Sequence, residues 1–373
     1  MTTKYYVFER GIREMQKENA GGKARADIDC ILESEGFQKI EVLQSVNADY
    51  NQPSTISKIA RRIRAKGDWK RALRNIKDGE LVFVQMPLRN HSLGVSKYLS
   101  RLSSSGRINL CCLVHDLELL RFASQVDSKS IKQKEIASEE LTLLKGCNKI
   151  ILHNSFMVDA VCEIVGEELR RKALTLDIFD YLVDNTIPSK KSQKSITKQI
   201  VIAGNLIKKK AGYAYALPSG LCFNLYGPGF EGVSSQGVHY KGSYPADELP
   251  SVLEGDFGLI WDGPDTCSCT GVYGEYLRVN NPHKASLYLA CGLPIIVWNG
   301  AAISKYVVDN GVGIAVPSLD SLPRFLEKIS DTEYSNMHSA AVSAGDKVKR
   351  GYYFRRVLRE ISASEVLGTQ SSK

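Results

Sequence analysis

Several short stretches gather the residue types that move protons or hold anions. His115-Asp116-Leu117-Glu118 follows the apolar run Ile108 to Val114. A polar cluster at the carboxyl end of a buried parallel strand lies where open α/β sheets bind ligands. Imidazole and carboxylate side chains are common proton acceptors, so His115, Asp116 and Glu118 are the acid/base candidates. The plain alternative is a turn in which Asp116 caps a helix. From Asp256 to Gly313 the chain reads as two buried strands, Phe257 to Trp261 and Leu293 to Trp298, with a polar loop and a short helix between them. That helix starts near Asn281-Pro282-His283-Lys284, where proline suits the first turn, the N-H groups that follow lack partners, and Lys284 adds a full charge. Gly204-Asn205-Leu206 ahead of Lys208, and Tyr240-Lys241-Gly242-Ser243, close two further strands. Each alone is an ordinary turn; together with Asn281, His283 and Lys284 they make a diphosphate pocket. Asn19-Ala20-Gly21-Gly22-Lys23 precedes a helix-like run from Ala24 to Glu35, and its two glycines let backbone approach a ligand closely, although a structural turn fits equally well.

Other chemistries fail on specifics. There is no G-x-G-x-x-G for a dinucleotide, no G-K-[ST] for a P-loop and no G-x-S-x-G nucleophile elbow. Cys267 and Cys269 are not spaced as C-x-x-C, and no second ligand pair stands at zinc-like spacing. Asp262 and Asp265 are too far apart in sequence for a D-x-D metal site. A metal-free mechanism without a cofactor is expected, with protein cations in place of an ion.

The elements that must position these residues are legible from apolar periodicity. Near-continuous apolar runs recur at Lys4 to Phe8, Lys39 to Leu43, Leu81 to Met86, Ile108 to Val114, Lys149 to Leu152 and Leu174 to Phe179. They recur again at Gln199 to Ala203, Leu221 to Tyr226, Val238 to Lys241, Phe257 to Trp261, Leu293 to Trp298 and Val312 to Val316, with helical stretches between. Alternating strands and helices of this kind give parallel sheets covered on both faces. A chain of 373 residues suits two domains of roughly 150 to 200 residues each. The polar, Ser- and Lys-rich stretch 183–198 is the linker between a first domain over 1–182 and a second over 199–349, and a final helix near 350–365 is expected to pack back on the first. Ser54 to Lys77 is a strongly basic helix with an apolar stripe of Ile56, Ile59, Ile63, Trp69, Leu73 and Ile76, which Gly67 is expected to interrupt. It reads as a solvated face over core or as a contact to anionic lipid; no nucleic-acid motif accompanies it. The net charge of +8 fits an anionic ligand, a membrane surface or nucleic acid without choosing. The start carries no apolar signal-like region and no run is long enough to span a bilayer, so a cytoplasmic protein is expected, peripheral on the inner face of the membrane if the basic helix is a lipid contact. In a reducing compartment the nine scattered cysteines are expected to be mostly buried thiols.

These residues also resemble a family. The loop N-A-G-G-K at Asn19 to Lys23, H-D-L-E-L-L-R at His115 to Arg121, A-G-N-L at Ala203 to Leu206, Y-K-G-S at Tyr240 to Ser243 and N-N-P-H-K-x-S-x-Y-L-A-x-G-L-P-I-I-V-W at Asn280 to Trp298 are similar to bacterial GT-B glycosyltransferases. Within these they resemble the β-1,6-galactofuranosyltransferase-like group, which includes the glucosyltransferases that extend O-linked GlcNAc on serine-rich-repeat adhesins. The resemblance implies two Rossmann-like domains with parallel sheets facing an interdomain cleft. It implies transfer of glucose or galactofuranose from a UDP-sugar to a glycan or glycoprotein, and an inverting, metal-independent course is expected. Asn205, Lys208, Lys241, Asn281, His283 and Lys284 would then bind the donor, and Asn19, Gly21, Gly22 and Lys23 would face the acceptor. Two alternatives stand beside it: a galactofuranosyltransferase acting on a lipid-linked capsule or O-antigen precursor, and an inactive GT-B scaffold that chaperones a partner transferase. A homo-oligomer and a peripheral contact with anionic membrane complete the expected partners; nucleic acid is not among them.

Overall fold

Apolar runs such as Glu80–Met86, buried at every position, cannot face water on either side and must lie inside a sheet sandwiched by helices. The computed structural model describes residues 3–10, 20–43, 55–89, 92–123, 130–183, 197–234 and 236–370. Its strands are β1 (Lys4–Arg10), β2 (Gln38–Leu43), β3 (Glu80–Met86), β4 (Ile108–Val114), β5 (Lys149–Leu152), β6 (Ala173–Thr175), β7 (Gln199–Ala203), β8 (Cys222–Tyr226), β9 (Val238–Gly242), β10 (Phe257–Ile260), β11 (Ile295–Trp298) and β12 (Gly313–Val316). The α-helices are α1 (Ala20–Ser34), α2 (Thr55–Ala72), α3 (Leu93–Ser104), α4 (Glu118–Arg121), α5 (Ile131–Gly146), α6 (Ser155–Val165), α7 (Lys208–Ala211), α8 (Leu249–Val252), α9 (Gly271–Tyr276), α10 (Lys284–Ala290), α11 (Ile303–Asp309), α12 (Leu322–Lys328), α13 (Asp331–Lys349) and α14 (Tyr352–Gln370).

The chain divides into two compact units, one made of Met1–Gln16, Ile28–Thr175 and Val357–Lys373, the other of Lys17–Asp27 and Leu176–Arg356. Each carries one parallel six-stranded sheet, ordered β2-β1-β3-β4-β5-β6 in the first and β12-β11-β10-β7-β8-β9 in the second. Residues 176–182, read from sequence into the first domain, belong to the second unit. Strand β6 stops at Thr175 rather than Phe179 because Asp177 adopts φ 70° and turns the chain. The expected linker lies outside the described residues apart from Val183, Thr197 and Lys198.

Three local readings change. Gly21 and Gly22 sit in the first turn of α1, not in a loop. Their helix cost of about 1 kcal/mol each is offset by the strong helix formers that follow and by burial of Ala24, Ile28, Ile31 and Leu32. Asn19 lies outside the described residues. Gly67 leaves α2 continuous, held down by buried Ala65 and Trp69, while Ile63 is 68% exposed and not part of the stripe. Pro282 precedes α10 instead of entering it; its carbonyl accepts from the Ala285 N-H in a tight turn, and His283 is the residue that flanks the helix. Of the nine cysteines, all free, Cys30 and Cys267 are exposed, Cys222 is half-buried and the other six are buried.

Candidate functional site

Parallel sheets bind ligands where the strand order reverses, because the chain leaves the two central strands in opposite directions and opens a crevice at their carboxyl ends. In the second unit that point lies between β7, the first strand in sequence, and β10. The two pair only through Ile200 and Val201 before they part. The Tyr288 hydroxyl fills the opening: it accepts from the Ala203 N-H at 2.9 Å and donates to the Leu259 carbonyl at 3.2 Å. Two backbone groups left without strand partners are thus satisfied by one buried phenol, which is what their burial requires. The Tyr288 ring reaches that position because residue 258 is glycine; a Cβ there would lie 2.2 Å from the ring.

Of the expected donor residues, Asn205, Lys208 and Lys284 follow the two strands that flank this crevice, whereas Lys241 lies on the outermost strand, beyond β8. Lys284, at the start of α10, donates to Asp262 Oδ1 at 2.9 Å and to the Trp261 carbonyl at 3.0 Å, directly beyond β10. Both side chains of the pair are nearly buried, at 14% and 10% exposure. Two of the three ammonium donors are thereby fixed. Asn205, beyond β7, is exposed and turns the chain by accepting from the Ile207 N-H at 3.1 Å. Lys208 lies over the Tyr215 ring at 5.2 Å. Lys241, near the end of the outermost strand β9, is ion-paired with Glu254 at 3.0 Å. Close approach of the β7 and β8 ends needs Gly227, φ 135°, whose Cβ would strike the Gly204 carbonyl at 1.8 Å.

Asn281 and His283 face inward instead. Asn281 is 3% exposed and donates to the Asp177 carbonyl. The His283 ring stacks on Tyr181 at 5.0 Å and reaches the Asp180 carbonyl at 3.3 Å, while burial pushes its pKa down to about 4 and keeps it neutral. Lys23 belongs to the same buried cluster of the second unit. Its ammonium contacts Asp27 at 2.6 Å, the Leu182 carbonyl at 2.7 Å and Asp247 at 3.0 Å, and it lies 5.1 Å from the Tyr181 ring. Those three oxygens match the three donors of the ammonium. Burial nevertheless pushes Asp27 up to about 6. Lys23, expected to face the acceptor, thus has its ammonium matched by these three oxygens within the second unit.

Asp180 holds the start of α14. Its carboxyl accepts from the Tyr353 and Phe354 N-H groups at 3.2 and 2.8 Å, and burial raises its pKa to about 7 against those bonds. Asp27 adds to the rise and Arg355 opposes it. A carboxyl whose folded pKa lies above its unfolded value stabilises most below the unfolded pKa, and that contribution is lost as pH climbs from about 4 toward 7. Asp180→Asn gives up one acceptor but cannot ionise. It is expected to melt below the native protein at pH 4.5 and to close or reverse that gap at pH 8; a melting-temperature difference independent of pH would contradict the assignment.

In the first unit the acid/base candidates follow β4. Arg121 binds both carboxylates, Asp116 at 2.5 Å and Glu118 at 2.8 Å, so a proton passed to either would break an ion pair. His115 is arranged differently. Its Nε2 lies 2.6 Å from Gln85 Oε1, and the Gln85 amide nitrogen donates to Asp29 Oδ1 at 2.7 Å. A carboxylate only accepts, so it fixes which end of the Gln85 amide is oxygen; that oxygen in turn requires the proton on His115 Nε2 and leaves Nδ1 as the basic nitrogen. The helix that follows is capped by Glu140 of α5, not by Asp116. Glu140 accepts from the Glu118 and Leu119 N-H groups at 2.9 and 2.8 Å. His153, at the end of β5, meets the Val114 carbonyl at 3.1 Å and is held neutral by burial, its pKa near 4.

Gln85, Asp29, Glu140, His153 and Tyr288 were not legible as site residues. Gln85 left a signal as the one uncharged polar residue in β3, and Tyr288 as the tyrosine of the N-N-P-H-K-x-S-x-Y block. The others act through partners far away in sequence.

Models of one family match both halves of the chain: the glucosyltransferase 3-like N-terminal domain over residues 4–164 and the glucosyltransferase 3-like C-terminal domain over 200–361. A β-1,6-galactofuranosyltransferase of Escherichia coli K12 is 27% identical over 345 residues, covering 90% of this chain and 96% of the relative. Glucosyltransferase 3 of Streptococcus gordonii is 24% identical, covering 75% and 78%. Among solved structures, sucrose-phosphate synthase from Thermosynechococcus elongatus superposes with a TM-score of 0.61 at 10% identity over the full length of both chains. An Anabaena protein solved with UDP and glucose gives 0.52 at 11% identity, covering 97% of this chain and all of its own. At that identity the likeness concerns the fold, which is GT-B.

Proposed function

Because the chain belongs to the glucosyltransferase 3-like family, we propose that it moves a hexosyl group, glucose or galactofuranose, from a UDP-sugar to a glycan acceptor. The observation that carries the donor assignment is the position of Asn205, Asp262 and Lys284 at the strand-order reversal between β7 and β10. A diphosphate there meets the third donor of Lys284, with Lys208 at the start of α7, shortly beyond β7. The charge that develops on the departing UDP is what such fixed donors stabilise. An acceptor hydroxyl attacks the anomeric carbon on the face opposite UDP, the bond from that carbon to the diphosphate oxygen breaks, and the hydroxyl proton passes to His115 Nδ1. The reaction inverts the anomeric centre and uses protein cations where other transferases use a metal. The acceptor is a glycan on a protein or on a lipid carrier.

The test is a thermal-shift screen of the full chain against nucleoside diphosphates and their sugars, since a ligand that binds only the folded state raises its apparent stability. UDP and at least one UDP-sugar should raise the melting temperature, and ADP and GDP should not. Absence of a shift with every uridine nucleotide overturns the donor assignment. Transfer or slow hydrolysis of the stabilising UDP-sugar separates an enzyme from an inactive scaffold.

A further inference from the structure

Helix α2 holds seven Lys and Arg residues and one acid, Asp68, in a protein whose whole net charge is +8. Most of the molecule's excess charge is therefore concentrated on one surface element. A basic helix face is usually laced with acidic partners when its role is structural. Here Arg62 pairs with Glu135 at 2.5 Å and Arg71 approaches Asp68 at 3.7 Å. Arg64, Lys66 and Arg74 have no ion pair with any described residue. Lys97 and Arg101, exposed on α3, extend the same sign, and α3 is joined to α2 where Lys70 lies over the Tyr98 ring at 5.8 Å.

A second observation is independent of charge. Ile63, in the middle of this basic face, is 68% exposed, and Ile131, the first residue of α5, is 80% exposed. The two elements are held together by the Arg62–Glu135 pair, and Ile131 stands one helical turn from Glu135, with exposed Lys132 and Lys134 beside it. Large aliphatic side chains set among unpaired cations suit the boundary between headgroups and acyl chains, where the cations meet phosphates and the aliphatic groups leave water. Nucleic acid would reward aromatic stacking or base-edge donors, and an acidic protein partner would leave the isoleucines without a purpose. No helix among the described residues is long and apolar enough to cross a membrane, so such a contact is peripheral.

We propose that the face formed by α2 and α3, with the start of α5, docks this protein on an anionic lipid surface, Ile63 and Ile131 entering the interface. Docking is a property of the first unit and does not depend on the transferase assignment.

The full chain is sedimented with vesicles of phosphatidylcholine mixed with phosphatidylglycerol, and with vesicles of phosphatidylcholine alone, in the absence of any sugar nucleotide. Binding to the mixed vesicles only is expected, weakening as salt is raised. Each cation near such a surface contributes about fivefold, so the quadruple variant Arg64→Gln, Lys70→Gln, Arg71→Gln, Arg74→Gln should lose about a hundredfold or more. The double variant Ile63→Ser, Ile131→Ser should lose binding severalfold and keep its salt dependence. All these side chains are exposed, and an unchanged melting temperature and circular dichroism spectrum establish that the variants fold. The proposal is overturned if the native chain ignores the mixed vesicles at physiological salt, or if the quadruple variant binds as the native chain does. It is equally overturned if the isoleucine variant is unaffected while duplex DNA or an acidic polypeptide competes the vesicles away.

Discussion

Replacing Lys284 by alanine is expected to abolish UDP binding and to lower stability by about 3 kcal/mol, for two separable reasons. In the proposed donor site the Lys284 ammonium faces the diphosphate, so its loss removes that donor. It is also the counter-charge of Asp262, only 10% exposed, and removing one member of a nearly buried pair leaves the other uncompensated. The double variant Lys284→Met, Asp262→Asn separates the two effects. It removes both charges, keeps an acceptor at 262 and a side chain of similar length at 284, and should regain most of the lost stability. It should not regain affinity for UDP. Calorimetric titration of UDP into both variants, alongside thermal melts, checks the pair; native affinity in the folded double variant would remove Lys284 from the donor site.

His115→Ala should reduce turnover by about two to four orders of magnitude, the usual contribution of a positioned base, while leaving UDP affinity untouched. The imidazole is half-buried and contributes little to packing, so stability should change far less than activity. Asp116→Asn and Glu118→Gln are expected to cost less, because both carboxylates serve Arg121. Gln85→Met provides the control on geometry. It removes the oxygen that fixes the His115 tautomer and should lower kcat by less than His115→Ala does, with the donor KM unchanged. Single-turnover kinetics on the four variants rank the groups directly. If His115→Ala retains full activity while Asp116→Asn abolishes it, the proton goes to the carboxylate instead.

The central strands, such as β3 and β4, were legible almost residue by residue, because a strand buried on both faces must be apolar throughout, whereas the edge strands β2 and β9 are largely exposed. The boundaries that shifted did so where one residue overrode composition, as Asp177 does by turning the chain after β6. The glycine stretch went the other way. Gly21 and Gly22 look like loop residues, but the apolar face of α1 that follows is buried deeply enough to carry helix through both of them.

By itself the sequence determined two parallel α/β units, the His115 to Glu118 cluster after β4 and the basic helix. Each of these follows from local composition and period, which a linear chain displays in full. Only the tertiary structure decided which partners these polar residues meet. Lys23, Asn281 and His283 carry the right chemistry but satisfy one another's neighbours inside the second unit, whereas Lys284 shares its charge with Asp262 across a turn of the fold. Tyr288, Gln85 and Glu140 gain their roles from backbone groups and side chains on other elements. A hydrogen bond is a property of two groups brought within about 3 Å, and no spacing along the sequence states which two those will be.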